Sequence, residues 1–261
     1  MFFRSLVLVI LLHCCCAFAA HSTPERLPLN TERPCFADSS LTVGKSVLLI
    51  ESGWSRESGM DSSGSPQTVT QTPLLVREGV SDHQEIRLGT EGYVWQQRDL
   101  DRAEGWGDLL LGVKWHHVDQ KGARPAVGSI LDILLPTGAK SIRGHGARPA
   151  LKLSLDWDLS NRLSSTFMSG IAYNSTESGE RYAAPLANLL FSYRWTSRLQ
   201  TFIEEAGLQF AAPRFGGNVL LTNVGAVYLL TPDLQLDGAI AWGHNHFSPN
   251  VFYTAGFSFR I

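Results

Sequence analysis

From about residue 43 to its last residue the chain repeats one unit, a run of roughly ten residues in which apolar and polar side chains alternate, followed by a turn. Twelve such runs centre on Lys45–Trp54, Thr70–Arg77, Glu85–Trp95, Trp106–His117, Pro125–Leu135, Ala150–Leu159, Leu163–Tyr173, Ala183–Trp195, Leu199–Gln209, Val219–Leu230, Leu234–His244 and Val251–Ile261. In the sixth, Leu151, Leu153, Leu155, Trp157 and Leu159 fall on one face, with Lys152, Ser154, Asp156 and Asp158 on the other. A helix would mix these two sets within two turns, whereas a strand separates them. The eleventh run repeats the pattern with Leu234, Leu236, Ile240 and Trp242 against Gln235 and Asp237. An all-β chain follows.

The connections carry a second regularity. Those around Val80–Asp82, Leu159–Asn161, Thr196–Ser197 and Thr231–Asp233 are short, while Ser55–Thr68, Gln96–Gly105 and Thr137–Gly146 read as longer polar loops. Short turns on one side and long loops on the other are the pattern of a transmembrane barrel. The aromatics agree: Trp54, Trp95, Tyr173 and Trp242 end odd-numbered runs, and Trp115, Trp157, Trp195 and Tyr228 fall near the ends of even-numbered ones. Two belts of amphipathic rings at two headgroup levels result. Closure into a barrel satisfies every backbone group in hydrocarbon, so the expected fold is a 12-stranded antiparallel β-barrel over residues 43–261. A soluble sandwich is the alternative fold. A lumen of that size is narrow or partly plugged.

The amino end reads as a secretory signal peptide over residues 1–19: Arg4, the apolar run Leu6–Leu12, then Ala17-Phe18-Ala19 as the cleavage motif. That run is far below the roughly 20 residues a helical span requires. Cys14, Cys15 and Cys16 leave with this segment and lack the flanking residues of a lipidation site, so Cys35 remains as a lone, inert thiol without a disulfide partner. Residues 20–42, with Pro24, Pro28 and Pro34, are too broken for a strand and either hang in the periplasm or fold into the lumen. Net charge is −2, with the basic residues scattered, which argues against a nucleic-acid partner.

Thr254, Gly256, Phe259 and Ile261 resemble the C-terminal assembly signal of bacterial outer-membrane barrels. A wider resemblance rests on Arg33-Pro-Cys-Phe-Ala-Asp-Ser39 ahead of Glu51, on Thr72-Pro-Leu-Leu-Val-Arg-Glu-Gly-Val-Ser-Asp82 and on Glu85-Ile-Arg-Leu88. It continues through Gly105-Trp-Gly-Asp-Leu109 with Gly112-Val-Lys114, Leu134-Leu-Pro-Thr-Gly138 and Leu234-Gln-Leu-Asp237. In order and spacing these are similar to the outer-membrane family described as the putative MetA-pathway of phenol degradation. The chain departs from that pattern at Cys35, usually Asp, at Glu78, usually aromatic, and at Ile261, often Phe in barrels. The resemblance implies passage of small hydrophobic or aromatic compounds across the outer membrane, with lipid, lipopolysaccharide and the barrel assembly machinery as partners. It assigns no catalytic or substrate-binding residue.

With the polar faces inward, the candidate lumen-lining residues are Glu51, Arg77, Arg87, Glu91, Asp108, Lys114, Asp132, Lys152, Asp156, Arg194 and Asp237. Such charges either brace the interior by pairing or line a wet constriction that selects by charge and size. Glu204 and Glu205 must point to opposite faces; a position at the headgroup rim accommodates the outward one. The pairs His116-His117 and His244-Asn-His246 lie at opposite barrel ends and do not form a metal site, and no cofactor is expected. No G-x-S-x-G elbow places a serine beside a base, so the chain does not read as an enzyme. Asn174-Ser-Thr has the form of a glycosylation acceptor, but a bacterial barrel is not a setting for it. The expected function is a passive channel or transporter for small molecules. A lipid hydrolase and a non-conducting, surface-binding barrel are the alternatives.

Overall fold

A computed structural model describes residues 28–60 and 64–261; the expected signal peptide lies outside the described residues. Fifteen strands follow in chain order: β1 (Leu48–Met60), β2 (Pro66–Gln71), β3 (Leu74–Ser81), β4 (Gln84–Thr90), β5 (Tyr93–Arg98), β6 (Asp101–Trp106), β7 (Leu109–Val118), β8 (Ala126–Leu135), β9 (Arg148–Asp158), β10 (Leu163–Ser175), β11 (Arg181–Arg194), β12 (Leu199–Gln209), β13 (Val219–Thr231), β14 (Leu234–Gly243) and β15 (Val251–Arg260). Three wall segments are interrupted, β2 with β3, β4 with β5 and β6 with β7, so the fifteen strands build twelve staves. β15 pairs with β1 from Leu49↔Arg260 to Ser58↔Val251 and closes the antiparallel barrel.

The interruptions line up across neighbouring staves, and the sequence explains them. Pro73 has no N–H for the ladder, and its carbonyl instead accepts from Ser52 Oγ (3.0 Å) and Gly53 N (3.3 Å). Beside it, Gly92 has φ +72°, and a side chain there would run into the Thr72 carbonyl. Gly107 N then donates to Gly92 O at 2.7 Å. Beyond this line β2, β5 and β6 continue the sheet at the long-loop end. Two stretches expected as loops, 55–68 and 96–105, are therefore largely ladder: β1 pairs with β2 and β5 with β6. Their polar residues lie on strands that extend past the apolar band.

The outward face is apolar. Ile86, Leu111, Leu151, Leu153, Ile171, Phe191, Ile203, Leu236 and Phe257 are all exposed, a contiguous band that water would not tolerate and hydrocarbon does. Exposed Trp54, Trp95, Tyr173 and Trp242 flank it toward the long loops, and Trp195 and Tyr228 toward the short turns. The inward face is different in kind, because it is packed against the chain's own N-terminal segment.

Candidate functional site

Residues 28–43 cross the lumen, from Val43 near the short turns to Phe36 near the long-loop ends of β12–β15, and touch most of the wall. On one side they meet charge. Arg77 on β3, without exposed surface, donates from Nε to Glu85 (2.8 Å) and from Nη1 to Glu51 (3.1 Å) and to the Asn30 carbonyl (2.9 Å), with Glu32 3.0 Å from Nη2. The other Glu51 oxygen accepts Glu32 N and Arg33 N at 2.9 and 3.0 Å, and Glu85 accepts Val43 N at 2.9 Å. Lys114 on β7 pairs with Glu32 and donates to Leu41 O at 3.2 Å. Arg87 lies 3.3 Å from both Asp38 and Asp132, and Lys152 reaches the same two at 2.5 and 3.1 Å. Asp156 accepts Ser40 N at 2.6 Å, and His116 Nδ1 lies 3.1 Å from the Ser40 carbonyl. Charged and polar wall residues thus meet the peptide groups of Asn30, Glu32, Arg33, Ser40, Leu41 and Val43, which is what buried backbone requires.

Arg33 marks the edge of this region. It pairs with Asp237 on β14 at 3.0 Å and donates to Thr254 Oγ1 at 2.8 Å. Its guanidinium lies where side chains at Gly53 and Gly256, cross-strand partners in the closing ladder, would otherwise stand. Thr254 and Gly256, read as part of an assembly signal, therefore also seat the segment.

Where Phe36 and Ala37 meet it, the β10–β15 side of the wall is apolar. Ala37 packs with Met168, Leu190 and Phe202, joined by Cys35, Leu186 and Ala239. Phe36 packs on Ala206, Leu221 and Ala241, with Leu208 and Phe252 beside it and the Phe252 ring centroid 5.4 Å away. Besides Asp237, a second carboxylate serves this half: Glu204, fully buried, accepts Phe36 N (2.9 Å), Ala37 N (2.6 Å) and Asn223 Nδ2 (3.0 Å).

Burial sets the ionisation of the segment. It pushes the Cys35 thiol well up, with Glu204 and Glu32 adding to the effect, so Cys35 is a poor nucleophile. Burial also pushes Glu32 up, to about 7, against the pull of Lys114 and Arg77. At Asp38 burial is outweighed by Lys152 and Arg87, which hold the carboxyl well below its usual range.

A second inward structure caps the other end. Asp108, at the β6–β7 interruption, accepts Gly138 N and Gly144 N, both at 2.9 Å, and pairs with Arg148 at 2.6 Å. Ala139 N donates to Trp106 O (2.7 Å) and Ser141 Oγ to Glu104 O (3.1 Å), so the 136–147 loop lies against β6. A polar hollow of about 470 Å³ remains there, lined by Glu91, Arg98, Arg102, Lys140, Arg143 and Glu177 among others.

Residues 31–261 match the family described as "Putative MetA-pathway of phenol degradation". The chain belongs to this family. The fragments that resemble the phenol-degradation family meet in space: Arg33–Asp38, Glu51, Arg77, Glu85, Arg87, Lys114 and Asp237 at the lumenal segment, and Gly105–Asp108 with Thr137–Gly138 at the loop anchor. Among solved structures, the chain is similar to the COG4313 outer membrane channel from Pseudomonas putida F1, at 14% identity over 85% of this chain and 98% of that one, with a TM-score of 0.65. The NanC porin matches at 14% identity over 82% and 100%, TM-score 0.51, and the translocator domain of the autotransporter NalP from Neisseria meningitidis at 10% over 84% and 89%, TM-score 0.53. No curated protein gives a significant match. The fold is that of the outer-membrane barrels.

Of the lumen-lining candidates, Glu51, Arg77, Arg87, Lys114, Asp132, Lys152, Asp156 and Asp237 meet around the segment. Asp108 and, beside it, Glu91 belong to the loop anchor, and Arg194 is exposed at the short-turn mouth, apart from both. Sequence reading missed Glu32, Arg33 and Asp38, which lie in a stretch without periodicity, and Glu85, which shares the face of Arg87 at the start of β4. It left Glu204 without a partner. Its neighbour Glu205 points outward beside Thr222 (2.7 Å) and His244 (3.3 Å), close to the rung of Trp242. His117 faces outward to Ser129 at 2.7 Å.

Proposed function

We propose that the chain is exported to the outer membrane by its N-terminal signal and acts there as a passive channel for small apolar solutes. The observation that carries this reading is the division of the lumen. Where Cys35, Phe36 and Ala37 meet it, the wall from β10 to β15 presents Met168, Leu186, Leu190, Phe202, Leu208, Leu221 and Phe252 to the interior. Apolar lumen surface costs free energy in a water-filled pore and suits a solute that sheds its water. Residues 28–43 bridge the lumen between Glu51, Asp156 and Glu204, so conduction on this reading requires them to shift. The barrel itself needs no catalytic residue for this role.

The test is uptake by intact cells of a host lacking its own aromatic channels, because lipopolysaccharide, unlike a phospholipid bilayer, retards apolar solutes. Expression should raise the initial uptake of labelled toluene several-fold and leave that of a disaccharide unchanged. Equal toluene uptake with and without the protein would favour the non-conducting barrel, and a gain for the sugar alone would indicate a polar porin.

A further inference from the structure

We infer that the recess holding Phe36 is a binding subsite for a single aromatic ring, occupied in this closed form by the protein's own phenylalanine. This rests on the channel reading above and names where its solute binds. The recess is made by the two small wall residues beneath the ring, Ala206 on β12 and Ala241 on β14, framed by Leu208, Leu221 and Phe252. Alanine at both positions leaves room for one ring against an otherwise bulky wall. Phe36 is only partly buried there, and its neighbours Leu208, Leu221, Ala241 and Phe252 all lie near the long-loop ends of their strands. The ring thus lies toward the long-loop side of the lumen, from which a solute would arrive.

The polar neighbours specify the ligand further. The direct cross-strand partner of Ala206 is Asn188, and that of Ala241 is Asn223. Both asparagines are buried, and the side-chain oxygen of each lacks a hydrogen-bond partner among the described residues. Buried amide oxygens are ordinarily satisfied. A phenylalanine ring has no donor to offer them; a ring bearing a hydroxyl or amino group does. The ligand class is accordingly a monocyclic aromatic with one hydrogen-bond donor, and it competes with Phe36 for the recess. Because Glu204 holds the backbone at Phe36 and Ala37, displacing the ring loosens the attachment of the segment to this half of the wall.

The experiment measures binding of 3-fluorophenol and fluorobenzene by ¹⁹F NMR to the full barrel in lipid nanodiscs, with folding of each variant verified by heat-modifiable migration. Phe36→Ala should bind fluorophenol about tenfold more tightly than the unaltered protein, as an apolar cavity of ring size does for a small aromatic. Filling the recess with Phe36→Ala/Ala241→Leu should abolish that gain, and Phe36→Ala/Asn223→Leu should narrow the preference for fluorophenol over fluorobenzene. Phe36→Leu serves if the alanine variant does not fold. Equal affinity in the unaltered and Phe36-substituted proteins, or binding that survives the filled recess, overturns the subsite. Cellular uptake that persists in spite of such a result overturns the subsite alone and leaves the channel standing.

Discussion

The two halves of the lumen hold one segment by different physics. From β1 to β9 the wall grips residues 30–43 with Arg77, Arg87, Lys114 and Lys152, whereas from β10 to β15 it offers apolar packing around Phe36 and Ala37 and two carboxylates, Asp237 at its edge and Glu204. Buried ion pairs are costly to assemble but far costlier to break singly, since each broken pair strands its partner in a dry site. Apolar contacts are graded and can be exchanged for a solute of similar shape. The charged half is therefore an anchor and the apolar half a releasable face, which gives the direction in which the segment can move: away from β10–β15, hinged on β3, β4 and β7.

The largest effect that would break this contrast is at Arg77. Arg77→Met leaves Glu32, Glu51 and Glu85 facing one another without their shared cation. We expect a loss of about 3–5 kcal/mol in the docking of the segment. In planar bilayers this should appear as a change from a nearly silent protein to one with large, steady conductance steps. An unchanged current would mean that the apolar half alone holds the plug.

The charged half should also respond to pH. Its ion pairs join five carboxylates, Glu32, Asp38, Glu51, Glu85 and Asp132, to four cations, Arg77, Arg87, Lys114 and Lys152. One proton balances the excess negative charge, and burial directs it to Glu32, whose pKa rises from 4.5 to about 7. Because the docked value lies above the free one, the docked form binds a proton that the released form does not. The contribution of Glu32 to docking is therefore full below pH 4.5 and is lost as pH rises through 7, by an amount on the order of 3 kcal/mol at about 1.4 kcal/mol per pKa unit. Conductance should be low at pH 5 and higher at pH 8, and Glu32→Gln should flatten that dependence. A Glu32→Gln protein with the original pH profile would place the proton elsewhere in the network.

The same contrast explains what could be read from the sequence. The staves and their closure follow from the alternation of residues such as Leu151–Leu159, where each side chain reports its own face. The inward charges on strands were legible for the same reason. Their partners were not, because Glu32, Arg33 and Asp38 belong to a stretch whose order comes entirely from the wall around it. The interruptions at Pro73, Gly92 and Gly107 were hidden inside runs that alternate on both sides of them. The Ala206 and Ala241 recess was invisible as well, since two small residues on neighbouring faces mean nothing until Phe36 is placed between them.

The finest comparison lies between two adjacent residues. Glu204 and Glu205 are consecutive on β12, so the pleat sends one into the lumen and the other to the outer wall. Glu204→Gln keeps one acceptor for the amides of Phe36 and Ala37 and removes the charge that strengthens both bonds, at a cost of about 1–2 kcal/mol. The amides of residues 35–38 should exchange with deuterium roughly 5–30-fold faster, while those of residues 30–33, held by Glu51, keep their rate. Glu205 has a side chain 60% exposed beside Thr222 and His244, and solvent and headgroups screen its interactions. Glu205→Gln should change barrel stability by less than about 1 kcal/mol and leave exchange of the segment untouched. If the two substitutions loosened residues 35–38 equally, the attachment would not pass through the Glu204 carboxylate, and the apolar half would hold the segment by packing alone.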